Sequence, residues 1–290
     1  MTTLRKLKTV AKKVPGVRQA GRAVMASMDA NTAILQKIPV FSPYSAGDSE
    51  MMLKLALNDA NTVFPVLRTL LLKTGAELPK VVDAEAFPET AEERSACAQL
   101  AERFRHYGSD KAGVHNYHLV YGSIIARIAE FSAMLEVGLG TNNTDIPSNM
   151  GAKGSPGASL RAFRDHASEA QIFGADIDRR ILFSEDRIST YFVDQTELDT
   201  FDRLGGDIGR ELDLVIDDGL HSPAANLAVV QFAAERVRPG GFIVVEDIAF
   251  AAQSVWEVVG VLLQRDYECV LVTTNVALMF VARKRTSPVR

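Results

Sequence analysis

Cysteine is scarce in this chain, with only Cys97 and Cys269 among 290 residues. They stand far apart and show neither CxxC nor Cys/His metal spacing. That excludes a disulfide framework and a structural zinc site, and leaves two buried thiols in a reducing compartment as the expectation. A run of 18 or more apolar residues is also missing, so no spanning helix is expected. The opening MTTLRKLKTVAKKVPGVRQ has none of the apolar core a secretory signal needs. A cytoplasmic protein without stable membrane insertion is expected. Residues 1–28 hold no acid, and Arg5, Lys6, Lys8, Lys12, Lys13, Arg18 and Arg22 make a basic arm. Such an arm could touch an anionic surface, but it lacks aromatic anchors and Pro15-Gly16 interrupts it, so a solvated terminus is the preferred reading. The net charge of -4 argues against nucleic acid as a main partner.

What is present suits a globular protein with a sizeable core, since 47% of the residues are hydrophobic. Apolar residues fall at helical spacing over 51–73 and again over 91–107, with the Pro-punctuated ELPKVVDAEAFPET between them. Residues 1–105 are therefore read as a helical N-terminal region, a candidate cap or homo-oligomer surface, and 106–290 as a second domain. From about 132 the pattern changes to short apolar runs alternating with helical segments. The runs are AMLEVG (133–138), AQIFGADI (170–177), ISTYFVD (188–194), LDLVIDD (212–218) and GFIVVEDI (241–248); ECVLVTTNVALMFVARK then reads as two strands around a turn near Thr274-Asn275. The fold class expected is α/β, a Rossmann-like doubly wound sheet of seven strands closed by a terminal antiparallel hairpin. Ligands of such sheets sit at the carboxyl ends of the strands.

The acidic oddities fall at those ends. LDLVIDDGLHSPA (212–224) begins apolar and ends in Asp217 and Asp218, with His221 three residues on. Clustered charge at a buried strand end is a sign of a site, against the plainer reading of a solvated turn. The first strand ends in Glu136-Val-Gly138-Leu-Gly140, where glycines let backbone pass close to a ligand. Asp176 ends the second strand, where doubly wound folds bind a ribose diol, although Asp178 competes with it as a helix cap. Asp194-Gln195 could grip an adenine edge or cap a turn. To this point a dinucleotide and another adenosine compound both remain open. The G-x-G-x-x-G fingerprint is absent, however, because TNNTDIPSNMGAKGSPG follows Gly140.

Taken together, EVGLG, the GADI strand end, VDQ, IDDGLH and VRPGGFIVVEDI resemble the class I S-adenosylmethionine-dependent methyltransferases. The likeness is specifically to the metal-dependent sugar O-methyltransferases of natural-product biosynthesis. YGSDKAGVHNYHLVY (107–121) is similar to a tract that leads into the first glycine motif of those proteins, and the resemblance covers about 107–283. It implies that Glu136, Gly138 and Gly140 line the methionine part of S-adenosylmethionine, that Asp176 holds the ribose, and that Asp194 and Gln195 lie by the adenine. Lys111 and Asp217 are placed on the cofactor side as well. Asp218, Glu246 and Asp247 would hold Mg²⁺, and His221 would be the general base. The long loop at 141–156 departs from the family's short glycine turn and is a candidate substrate lid or a disordered insertion.

Elementary chemistry runs the same way. Strand ends about 4.8 Å apart would bring Asp218 and Glu246-Asp247 to one point, and hard oxygen ligands suit Mg²⁺ better than zinc, with no second histidine expected within reach. An alcohol bound to a cation is easier to deprotonate, and a nearby imidazole can take its proton. The acceptor expected is a small-molecule or glycan hydroxyl. Rivals are a catechol or phenol acceptor, an NAD-dependent oxidoreductase and a non-catalytic cofactor-binding partner.

Overall fold

The computed structural model describes residues 29–287, and the basic arm lies outside the described residues. The chain divides between Leu67 and Arg68 into two compact units. The first includes α1 (Ala30–Leu35), capped by Asp29, whose carboxylate accepts from the Thr32 N–H, and the start of α2 (Ser49–Lys73). No described helix is long and apolar enough to cross a membrane.

The second unit is a sheet with helices on it. In chain order it contains β1 (Lys80–Asp83), α3 (Ala91–Tyr107), α4 (His118–Arg127), β2 (Ala133–Val137), α5 (Ala158–His166), β3 (Gln171–Asp176), β4 (Ser184–Glu185) and β5 (Ile188–Phe192). It continues through α6 (Asp199–Ile208), β6 (Leu212–Asp217), α7 (Pro223–Arg236), β7 (Val237–Ile248), α8 (Gln253–Leu263), β8 (Tyr267–Thr273) and β9 (Leu278–Lys284). The strand order is β1-β8-β9-β7-β6-β2-β3-β5-β4. β5, β3, β2, β6 and β7 run parallel, and β9 enters antiparallel between β7 and β8. The doubly wound class and closing hairpin are as expected, but among the described residues the sheet has nine strands rather than seven. The extra two are β1, parallel to β8, and the two-residue β4. KVVD of β1 does not alternate, and β4 is too short to do so.

The second unit begins at Arg68 and includes α3. The apolar stripe of α3, Cys97, Leu100, Ala101 and Phe104, is buried. Phe104 and Tyr121 meet Phe163 of α5 edge-on, at 5.2 and 5.4 Å between ring centroids. These rings join one core with Met134, Ile172, Leu214 and Val244 of the sheet. Of the cysteines, Cys97 is buried and Cys269 only half-buried.

The order of strands places the switch in winding between β2 and β6, whose register runs Met134↔Leu214 to Val137↔Asp217. The carboxyl ends of β2, β3, β5, β6 and β7 thus open on one edge, where a doubly wound sheet binds its ligand.

Candidate active site

Two adjoining cavities lie at that edge and share Gly138, Gly140, Ser148 and Asp218. The first is lined by Gly138, Gly140, Asp176, Asp194 and Gln195, with apolar walls from Ile146, Pro147, Ile177, Val193 and Leu220. Gly138 has φ +96 and Gly140 φ +74, a backbone region that favours glycine. The Asp176 carboxylate accepts from the N–H groups of Leu139 and Asp178, both at 2.7 Å. Burial pushes its pKa up, against those hydrogen bonds. Asp178 takes the capping role for which the two acids compete, accepting from the Arg180 N–H. The Arg180 guanidinium, with help from Thr141 and Asn143, holds its carboxyl well below the usual carboxylate range. Asp194 closes a turn by accepting from Thr196 N–H at 2.8 Å while still facing the cavity. Gln195 donates to Asp217 and accepts from Leu220 N–H, each at 2.8 Å, and so ties the β5 and β6 loops together.

The loop 141–156 is described throughout and is pinned in place. Thr141 and Asn143 both donate to Asp178 at 2.7 Å, Arg180 pairs with Asp145 at 2.9 Å, and Met150 N–H donates to Thr141 O at 2.8 Å. Ile146, Pro147 and Ser148 form one wall of the first cavity.

Asp217 and Glu136 are fully buried and line neither cavity. Asp217 accepts from Gln195, from Asn226 at 2.8 Å and from Gly219 N–H, and burial pushes its pKa up to about 6. Glu136 accepts from Ser159 and faces Lys111 at 3.3 Å.

The second cavity contains Lys111, His115, Tyr117, Asp218, His221, Glu246 and Asp247. Pro223 opens α7 at its first turn, so the β6–α7 loop is short and His221 stands at its end with φ +53. β7 carries an irregularity between Val245, paired with Phe280, and Ile248, paired with Leu278. The extra residue is a β-bulge, and Asp247 within it has φ +52. Non-glycine residues in this region are uncommon and cluster at functional sites.

The bulge gives the two adjacent carboxylates different partners. Glu246, 1% exposed, turns inward: both its oxygens accept from Lys111 at 2.6 and 2.7 Å, and Tyr121 donates to it. Asp247 turns outward, with one oxygen accepting from Tyr117 at 2.5 Å. Its Oδ2 lies 3.7 Å from His221 Nε2, and Asp218 Oδ1 lies 3.8 Å from the same nitrogen. These separations exceed hydrogen-bond length, so three donor atoms face one space without satisfying one another. The group able to hold an ion in the open cavity is thus Asp218, Asp247 and His221, whereas Glu136, Asp218 and Glu246 form a second group inside. The sequence groups Glu246 with Asp218 and Asp247; the structure places its carboxylate around a lysine. It also brings in His115, which the sequence places with Asp110, Lys111 and Tyr117 as a candidate to close over cofactor or acceptor: its Nδ1 is buried without a hydrogen bond, 3.8 Å from Asp247 Oδ1, its ring on Tyr117. The H-x-Y spacing at 115–117 is the available signal.

No family model matches the chain. It is 32% identical over 142 residues to the 8-demethyl-8-alpha-L-rhamnosyl tetracenomycin-C 2'-O-methyltransferase of Streptomyces olivaceus, covering 49% of this chain and 35% of that protein. It is 37% identical over 92 residues to the mycinamicin VI 2''-O-methyltransferase of Micromonospora griseorubida, covering 32% and 23%. This chain resembles sugar O-methyltransferases. It spans about a third or less of the length of these two relatives. A solved structure of the MycE methyltransferase in complex with Mg, SAH and mycinamycin VI superposes with a TM-score of 0.54 at 22% identity, over 66% of this chain and 55% of that one. The fold is therefore that of a class I methyltransferase.

Proposed function

We propose that the protein is an O-methyltransferase that moves a methyl group from S-adenosylmethionine to a hydroxyl, with Mg²⁺ assistance. The acceptor is a sugar of a glycoside or glycan. The observation that carries this reading is the convergence of Asp218 Oδ1, Asp247 Oδ2 and His221 Nε2 beside a cleft walled by Gly138, Gly140 and Asp176. The resemblance to sugar O-methyltransferases supports the same acceptor class.

The residues fit both groups. An adenosine has a flat apolar base and a ribose diol, and the first cavity offers aliphatic walls and the Asp176 carboxylate. Two outward carboxylate oxygens are a hard donor set suited to Mg²⁺, which keeps several waters. Held by Asp218 and Asp247, a divalent ion would supply Lewis acidity and so lower the pKa of a hydroxyl. His221, with its side chain 29% exposed to the same space, accepts the hydroxyl proton. Walls that held oxygen, methyl and sulfur in line would lower the barrier further.

A dinucleotide fits less well. Its pyrophosphate needs free N–H groups at the first helix after β2, but Gly157 N–H at the start of α5 donates to Leu139 O at 2.8 Å, and a 16-residue loop (141–156) intervenes. The decisive experiment is calorimetric titration of chelator-stripped protein with S-adenosylhomocysteine and with NAD, followed by methyl-transfer assays of His221→Ala. The reading expects homocysteine-compound binding without NAD binding, and a loss of turnover of about 10²–10⁴-fold with cofactor binding kept. Binding of NAD alone would overturn it.

A further inference from the structure

The end of β3 holds the loop that follows β2. Asp178 is 3% exposed, and its Oδ2 accepts from Thr141 and from Asn143, each at 2.7 Å. Arg180 donates to the same carboxylate from Nε at 2.6 Å and from Nη2 at 2.9 Å. The guanidinium also reaches further out along the loop and grips Asp145 with both Nη atoms, at 2.9 and 3.2 Å. The bonds to Asp178 are thus buried at the foot of the loop. The fork to Asp145 is open to solvent, with the side chains of Arg180 and Asp145 51% and 67% exposed.

Residues 141–150 close on themselves. Met150 N–H donates to Thr141 O at 2.8 Å and Ile146 N–H donates to Asn143 O at 3.1 Å. Met150 also packs so tightly on Gly140 that a Cβ there would lie 2.0 Å from its sulfur. With its ends joined, the stretch is a compact Ω-type loop. Ile146 and Pro147 face the first cavity, and Ser148 lines both cavities. Among the described residues, the Arg180–Asp145 pair is the one polar contact that ties residues 144–149 to another element.

The two attachments differ in strength. Parting the buried Asp178 carboxylate from its partners would leave an uncompensated charge, so the foot stays closed. An exposed ion pair shifts an equilibrium by only about 1.5- to 5-fold and is screened by salt. A segment with a strong foot and a weak outer pair can open at that pair without unfolding the sheet.

We propose that Asp145 and Arg180 are positioning residues for the cofactor: their ion pair latches the loop 141–150 over the cofactor cleft, and the loop opens at this latch to admit and release S-adenosylmethionine. Asp178 is the fixed foot on which it turns. The inference rests on the reading of the first cavity as a cofactor site. The loop, a candidate substrate lid by its sequence, is thereby a lid on the cofactor, and through Ser148 it also bounds the space where cofactor and acceptor meet.

The test alters Asp145, which lines neither cavity, so the walls that face the cofactor are kept. Dissociation of S-adenosylhomocysteine from the full-length protein is followed by surface plasmon resonance. That compound is a zwitterion without net charge at neutral pH, so salt acts on the latch rather than on the ligand. For the unaltered protein the dissociation rate is expected to rise about 1.5- to 5-fold between about 50 and about 500 mM NaCl. Asp145→Asn is expected to show that faster rate already at low salt, with no further rise, whereas Asp145→Glu keeps a carboxylate and keeps the salt dependence. A merely structural contribution of Asp145 would leave the salt dependence in place. Equal rates for Asp145→Asn and the unaltered protein at low salt, or a salt dependence that survives in Asp145→Asn, would overturn the proposal.

Hydrogen exchange without ligand, read by mass spectrometry, supplies a second measurement. The peptide covering 141–150 is expected to exchange faster in Asp145→Asn while β3 exchanges as before. Unchanged exchange in that peptide would overturn the latch. Failure of the unaltered protein to bind S-adenosylhomocysteine would instead strike the cofactor reading, and the exchange result would still decide whether Arg180 and Asp145 hold the loop.

Discussion

A Cβ on Gly138 would lie 2.0 Å from the carbonyl oxygen of Asp218, so the ends of β2 and β6 meet through bare backbone. The contact is stitched on both sides: Asp218 N–H donates to Val137 O and Gly138 N–H donates to Ala175 O, each at 2.8 Å. Gly138→Ala must therefore move backbone, and it must do so at φ +96. It is expected to destabilise the fold by about 2 kcal/mol or more in urea unfolding, and to weaken S-adenosylhomocysteine binding in calorimetry. Wild-type values in both measurements would refute the contact.

Asp218 and Asp247 reach the open cavity from different elements, the β6–α7 loop and the β7 bulge. Each offers one oxygen there while its other oxygen is held by a neighbour, Lys111 for Asp218 and Tyr117 for Asp247. Asp218→Asn and Asp247→Asn should each abolish the calorimetric Mg²⁺ signal and leave S-adenosylhomocysteine affinity largely intact. Mg²⁺ binding that survives in both variants places the ion elsewhere.

Much of this site is legible in the amino-acid sequence alone. Short apolar runs from AMLEVG to GFIVVEDI locate the parallel strands because both faces of those strands are covered, as in QIFGAD, where only Gln171 is not buried. Gly138, Gly140, Asp176, Asp194 and Gln195 line one cavity because strand ends are where a doubly wound sheet must open. Two features are hidden for physical reasons. A bulge inserts one residue without changing composition, so the separate fates of Glu246 and Asp247 leave no trace in the pattern. The ion pairs of Lys111 with Asp218 and Glu246 span more than a hundred residues of sequence, and no local periodicity encodes them. Likewise the edge strands β1 and β4 are silent, because KVVD does not alternate and β4 has only two residues.

Cysteine chemistry gives a prediction outside the site. Burial pushes the Cys269 thiol up to about 12, Arg285 offsetting only part of the effect, and burial raises Cys97 as well. The reactive thiolate is therefore rare at neutral pH. Alkylation of the native protein by iodoacetamide at pH 8 should be at least about tenfold slower than of the urea-unfolded chain. For Cys269 the native rate should keep rising with pH to 10 without a plateau. A plateau near pH 9 would mean that the thiol titrates as if in water.

Asp217 tests the buried half of the strand end. Burial raises its folded pKa to about 6 from an ordinary value of 3.8, despite hydrogen bonds from Asn226, Gly219 and Gln195. Between those two values the folded state binds more protons than the unfolded one, so this group lowers stability as pH rises from about 4 to 6. The loss is on the order of 3 kcal/mol once the carboxyl is ionised in both states. Asp217→Asn cannot ionise and lacks that slope, whatever the asparagine does to the hydrogen bonds. The stability of the variant minus that of the unaltered protein, from urea unfolding at a series of pH values, should therefore increase from pH 4 to pH 7. A difference that stays flat, or that falls, would mean that Asp217 is charged in the folded protein throughout this range, held by its three donors more strongly than burial opposes it.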